Sequence, residues 1–141
     1  MIWAKDTILC GMNAKNINNN NKNFTIMKKE ELMIGDWVMY DGTPLQVAEI
    51  YDAGISARGM MAGYTFEHLE PILLTPEILE KNGCALDEID GSYRYPDLGL
   101  WIGGRYAPFG CLISNVYVEL NYVHELQHVL RMCGIEKEIE L

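Results

Sequence analysis

The spacing of apolar residues first predicts a β hairpin near residue 40. Residues 37–40 and 45–50 are mostly apolar, and the four residues between them read Asp-Gly-Thr-Pro. Glycine and proline in this setting are a strong turn signal between two strands. Because neighbouring strand residues point to opposite faces, Leu45, Val47 and, as the weakest member, Glu49 are expected to share one face of the second strand.

Three glycines, Gly54, Gly59 and Gly63, then separate further short apolar runs as far as residue 74. This spacing predicts four or five short strands in this part of the chain. Closing such a small sheet on itself removes its exposed strand edges. The pattern therefore predicts a small SH3-like β-barrel over residues 27–74.

A short helix is predicted next, beginning at Thr75-Pro76-Glu77 and ending at Gly83. A threonine hydroxyl caps a helix start, proline suits the first helical position, and glycine is favoured just past the last turn. These three signals agree on one short element, which must be held in place by packing because short helices are unstable alone.

The remainder of the chain predicts a β-meander and a final helix. Residues 91–120 contain two hairpins, which turn at residues 96–97 and at Asn115, and the helix runs from Tyr122 to about residue 133. The acidic tail, residues 136–141, is expected to add an edge strand or to dock a second copy. The predicted fold class is α+β: a small SH3-like β-barrel followed, over residues 75–141, by an antiparallel β-meander packed with a C-terminal helix.

Asparagine dominates the region before the barrel. Seven of the eleven residues from 13 to 23 are asparagine. Such a tract has no apolar face to bury, so residues 1–26 are predicted to be a disordered Asn-rich extension of little structural weight. The fold is expected to begin near Met27.

The charge of the chain limits the classes of partner that it can bind. Acidic residues outnumber basic ones 20 to 11 among the 141 residues, giving a net charge of −9. Phosphate backbones require clustered lysine and arginine, so the charge argues against nucleic acid and favours a basic protein partner. The alternative is a stacking platform for a nucleic acid strand, formed by Trp37, Tyr40, Tyr51 and Tyr64, but we interpret these as core aromatics.

The cysteines and the lack of a long apolar run bear on location. Cys10, Cys84, Cys111 and Cys133 are widely spaced, with no C-x-x-C pair. We interpret them as reduced, mostly buried thiols of a cytoplasmic protein. No apolar run approaches the length of a membrane span, and no membrane association is predicted.

His124-Glu125-Leu126-Gln127-His128 matches the H-E-x-x-H zinc-hydrolase pattern. In that chemistry the two histidines bind zinc and the glutamate acts as general base on the bound water. The alternative function that follows is a compact zinc-dependent metallopeptidase with His124 and His128 as metal ligands, Glu125 as the catalytic residue and zinc as cofactor.

A helical wheel favours a structural interpretation of the same motif. At about 100° per residue, Val123, Leu126 and Val129 form the apolar side. Both histidines then lie on nearly the opposite side, towards solvent or towards a group that the sequence does not identify, and we interpret them as a surface-facing pair. No third ligand is evident, because the extended motif fails and His68, the other histidine, lies in the predicted barrel. We therefore predict no catalytic residue, no metal ligand and no cofactor.

Three segments resemble a family of small proteins encoded in bacterial prophages and related mobile elements. They are residues 34–38, residues 71–79 and residues 122–128, where the helix beginning Tyr-Val-His-x-Leu-Gln is the most specific part. The resemblance covers roughly residues 31–141. It implies that glutamine often replaces Glu125 and asparagine often replaces His128, and it carries no established activity. The expected function is that of a prophage-type accessory or interaction protein without catalytic activity, with an unknown protein partner.

Overall fold

The computed structural model describes residues 2–3, 26–95, 100–104, 108–113 and 115–141. Contacts divide the chain into two compact units, Met1–Ile72 and Leu73–Leu141. Most of the expected Asn-rich extension, including Cys10, lies outside the described residues. No helix in the described ranges is long and apolar enough to cross a membrane.

The first unit is a strongly curled half-barrel, which confirms the SH3-like prediction. A 3-10 turn, Phe66–His68, precedes the last strand, and that strand pairs back onto the first strand of the predicted hairpin. The strands are β1 (Ile2–Trp3), β2 (Trp37–Tyr40), β3 (Thr43–Ile50), β4 (Gly54–Ala57), β5 (Ala62–Thr65) and β6 (Leu69–Pro71). The sheet order is β1-β5-β4-β3-β2-β6, with β1 parallel to β5 and the other pairs antiparallel.

Two details of this unit differ from the sequence prediction. Ile2–Trp3 form an edge strand on β5, so at least these residues of the expected disordered extension have structure. In β3 the register shifts between Val47 and Glu49, and this bulge inserts one extra residue into the strand. Glu49 is consequently exposed, whereas Ile50 packs against the core, so the expectation that Glu49 shares the face of Val47 is wrong.

The predicted turn between β2 and β3 is confirmed. Asp41 and Gly42 both have positive φ, 47° and 79°, which is the conformation of a tight hairpin turn that matches the twist of the strands. The core of this unit begins at Met27, which is 1% exposed. The other buried members of the core are Leu32, Val38, Leu45, Val47, Ile55, Ala57, Tyr64 and Leu69.

The second unit is the predicted meander with its helices. The elements are α1 (Pro76–Lys81), β7 (Ala85–Leu86), β8 (Tyr93–Tyr95), β9 (Leu100–Gly103), β10 (Phe109–Ile113), β11 (Val116–Leu120) and α2 (Val123–Met132). The five strands follow the order β11-β10-β9-β8-β7, and each pairs antiparallel with its neighbour. The sequence did not predict β7, and the turn expected at residues 96–97 lies outside the described residues.

Local capping signals account for α1 and for the turn before β11. Thr75 Oγ1 accepts a hydrogen bond from Ile78 N at 3.3 Å, and Gly83 follows the helix with φ 91°, as predicted. Asn115 makes the tight turn with φ 65°. One face of the sheet is buried. Ile102 and Cys111, which are cross-strand partners on that face, are each 0% exposed.

The acidic tail does not add the edge strand that the sequence suggested, and docking of a second copy stays a prediction. Asn82, at the end of α1, donates from Nδ2 to Glu140 O at 2.7 Å, and its Oδ1 accepts from Glu140 N at 2.7 Å. Ile139 beside this clasp is only 2% exposed. The tail therefore folds back on α1 of its own chain instead of extending the sheet. The Asn82 side chain bonds both the N–H and the C=O of Glu140, as a neighbouring strand would do in a sheet.

Candidate metal site

The start of α2 determines what Glu125 does. Leu73 forms a bridge with Tyr122, and Leu74 N donates to Asn121 O at 2.9 Å, which holds the chain extended up to Tyr122. Tyr122 is the N-cap residue, and Glu125 stands three positions later. Glu125 therefore occupies the position from which an acidic side chain can turn back onto the helix start.

Glu125 caps its own helix. Its Oε1 accepts a hydrogen bond from Tyr122 N at 2.9 Å and another from Asn121 N at 3.0 Å. The first amides of a helix have no partner within the helix, and a carboxylate at this end also meets the positive end of the helix dipole. The carboxylate that a zinc hydrolase would aim at its metal-bound water is thus engaged with the backbone.

The histidine pair is closer to the protein interior than the helical wheel predicted. His124 is 5% exposed and His128 is half-buried, so the expectation that both point to solvent is wrong for His124. Gln127 is also buried, at 6% exposed. The wheel failed because it infers burial from apolarity alone, whereas α2 also buries polar residues outside its apolar stripe.

The two imidazoles are neighbours, but no third His, Cys, Asp or Glu joins them among the described residues. The ring centroids of His124 and His128 are 5.6 Å apart, and the His124 ring is stacked on Tyr122 at 5.8 Å. A catalytic zinc needs three protein ligands and an open position. In the ranges that the structure describes, no group of three His, Cys, Asp or Glu side chains converges. His68 belongs to the first unit, where its ring contacts Tyr40 at 5.8 Å.

The four aromatics considered as a stacking platform are divided between core and surface. Tyr64 is 6% exposed and meets Tyr40 edge-on, with ring centroids 4.7 Å apart, so these two serve the core of the half-barrel. Tyr51 donates its hydroxyl to Glu49 Oε2 at 2.7 Å, and this hydrogen bond raises the pKa of Tyr51. Trp37 is half-buried on β2.

The described cysteines are free thiols, and two of the three are buried. Burial raises the pKa of Cys84 and of Cys111 to about 11 in each case. A thiol must lose its proton to act as a nucleophile, so these two are inert near neutral pH. Cys133 is exposed.

A feature that the sequence did not indicate lies on the outer face of the meander. Gly103 and Gly110 are direct cross-strand partners, and a Cβ atom on either would collide with an aromatic ring. The Trp101 ring lies over Gly103, and the Tyr117 ring lies over Gly110. Leu112, the cross-strand partner of Tyr117, is 53% exposed, and Tyr117 is 63% exposed. We call Trp101, Gly103, Gly110, Leu112 and Tyr117 the outer aromatic face. It could not be predicted from the sequence, because it depends on which residues of neighbouring strands lie opposite each other.

Comparison with known proteins assigns the chain to no family. No family model matches it, and no curated protein or solved structure matches it either. The resemblance to prophage-encoded proteins therefore stays a prediction, and the function must be argued from the residues of this chain.

Proposed function

We propose that this chain is a non-catalytic accessory protein of a prophage-type element, which acts in the bacterial cytoplasm by binding another protein. The observation that carries the proposal is the cap made by Glu125, whose Oε1 accepts from the amides of both Asn121 and Tyr122. The one motif in the chain with a known hydrolytic chemistry is explained by helix capping, without a reaction.

The family resemblance supports the same interpretation. It implies that glutamine often stands in place of Glu125. Glutamine keeps the side-chain oxygen that caps a helix, and it serves in a capping box as glutamate does. It cannot act as a general base. If the role of Glu125 is structural, a change to glutamine is tolerated, because it keeps the cap and removes only the general base.

The outer aromatic face supports binding to a protein. Leu112 and Tyr117 are cross-strand partners on this face, and both are more than half exposed. Contiguous exposed apolar side chains with aromatic members are typical of interaction surfaces. β11 is also the last of the described strands in the sheet order, and a strand in that position can pair with an added strand of a partner.

Metal analysis tests the non-catalytic part of the proposal. Protein purified without added zinc is expected to contain far less than one zinc per chain and to leave a general peptidase substrate uncut. Glu125→Gln is expected to change neither result. Stoichiometric zinc that is lost in His128→Asn, together with hydrolysis that Glu125→Gln abolishes, would instead establish the zinc hydrolase.

Affinity capture from host lysate tests the binding part with a matched pair of variants. Leu112→Ser removes an apolar side chain from the outer aromatic face, and Met132→Ser removes one of comparable exposure, 69%, from the end of α2. A protein captured by the wild type and by Met132→Ser, but lost with Leu112→Ser, would support the proposed surface. Equal capture by all three forms would refute it.

A further inference from the structure

A cavity of about 410 Å³ lies between α1 and the segment that joins β7 to β8. Pockets that hold small ligands usually have volumes of about 300–1,000 Å³, so this one has room for a single side chain or a small organic group. Its lining combines three carboxylates, Glu77, Asp87 and Glu88, with the apolar surfaces of Pro76, Leu86 and Tyr93. We call it the acidic cavity.

The negative charge of the acidic cavity is only partly balanced. No lysine or arginine is among the described residues that line it. Arg94 Nη2 lies 3.8 Å from Asp87 and 3.1 Å from Asp90, so Asp87 has a cationic neighbour. Among the residues that the structure describes, none forms an ion pair with Glu77 or Glu88. The cavity therefore favours a cationic occupant.

An apolar side chain stands beside this charge. Ile89, between the lining residues Glu88 and Gly91, is 97% exposed. Its backbone is held in place, because Ile89 N donates to Asp87 Oδ1 at 2.9 Å and Gly91 N donates to Asp87 O at 2.7 Å. A surface that is already ordered loses less conformational entropy on binding. Ile89 thus offers an ordered apolar contact next to the cavity, which a small free cation would leave unused.

We propose that the acidic cavity binds an arginine side chain of a basic protein partner, with Ile89 packing against the partner beside it. The inference rests on the proposed function and names the chemistry of the partner. A guanidinium group donates several hydrogen bonds to carboxylates such as Glu77 and Glu88, and its flat face and methylene stem suit apolar walls such as Leu86. A bare metal ion would leave those walls without a contact, and an anion would be repelled.

Nuclear magnetic resonance of the full-length, ¹⁵N-labelled chain tests the cavity directly. The probe is Nα-acetylarginine amide, and the control is Nα-acetylcitrulline amide, which has nearly the same shape without the charge. The arginine probe is expected to shift the amide signals of residues 86–91 and of Tyr93 saturably at millimolar concentrations. The citrulline control is expected to leave them in place, and added salt should weaken the arginine response.

Two single-charge variants on the same helix provide the matched comparison. Glu77→Gln removes a lining carboxylate, and Glu80→Gln removes an exposed one from α1 that does not line the cavity. Glu77→Gln is expected to weaken the arginine probe roughly two- to fivefold, the size of effect that one partly exposed ion pair has. Glu80→Gln is expected to leave its affinity unchanged.

The inference is overturned by an absence of shifts in residues 86–91, by equal shifts from both probes, or by equal weakening in both variants. These outcomes are separate from failure of the proposed function. Zinc-dependent hydrolysis would refute the non-catalytic role whatever the cavity binds. A zinc-free, inactive protein whose cavity ignores the arginine probe would refute only the inference about the cavity.

Discussion

Replacing Glu125 by alanine should destabilise the second unit through the start of α2. Glu125 Oε1 accepts from Tyr122 N at 2.9 Å and from Asn121 N at 3.0 Å, and both bonds are lost in Glu125→Ala. Loss of one capping side chain costs about 0.5–2 kcal/mol, and a carboxylate beside the helix dipole contributes about 0.3–1 kcal/mol. We therefore expect Glu125→Ala to lower the free energy of unfolding by about 1.5 kcal/mol.

Glu125→Gln keeps the helix cap but removes any ability of the side chain to act as an acid or a base. Its Oε1 can accept the same two hydrogen bonds, and only the charge is lost, so the cost should stay near 0.5 kcal/mol. Urea unfolding followed by circular dichroism measures both variants. With a slope of about 1–3 kcal/mol per molar urea, Glu125→Ala should lower the midpoint by roughly 0.5–1.5 M.

The control for this comparison is Glu136→Ala, which removes an exposed carboxylate beyond the end of α2. Its effect on the free energy of unfolding should stay within about 0.5 kcal/mol. The capping argument is refuted if Glu125→Gln destabilises as much as Glu125→Ala, or if Glu125→Ala unfolds at the same urea concentration as the wild type.

Four further predictions concern Asn82, Gly42 and the cysteines. Asn82→Ala removes both bonds to Glu140 from a side chain that is 4% exposed, so it should cost about 1–3 kcal/mol in urea unfolding and speed hydrogen exchange of the tail amides. Gly42→Ala should cost roughly 1 kcal/mol in the same assay, because φ is 79° there and a Cβ atom disfavours that conformation. Burial raises the pKa of Cys84 from 9.0 to about 11, so stability that is present below pH 9 should fall as the pH rises towards 11. At pH 8 iodoacetamide should label the exposed Cys133 before Cys84.

Local signals predicted most of the secondary structure. The turn at Asp41 and Gly42, the cap at Thr75 and the turn at Asn115 each depend on the backbone preference of one or two residues, and all three are observed. The runs β2 to β5 and β7 to β11 then pair in sequence order through short connections. This is why the α+β class could be predicted from the pattern of apolar positions.

The features that the sequence did not predict depend on distant partners. The parallel pairing of Ile2–Trp3 with β5 joins segments far apart in the chain, and the clasp between Asn82 and Glu140 does the same. The bulge between Val47 and Glu49 shifts the register of β3 against β4, and simple alternation cannot reveal such a shift. Burial of His124 likewise depends on what surrounds α2, which the helix sequence alone does not contain.

The position of a motif within its helix distinguishes the two roles of Glu125. The H-E-x-x-H pattern specifies residue types and the spacing that brings two histidines together, but it does not specify where the helix begins. Here Tyr122 is the N-cap, so the glutamate falls at the third helical position, where free backbone amides lie within its reach. A glutamate further along a helix meets amides that are already bonded, and its carboxylate can turn outward to a metal-bound water.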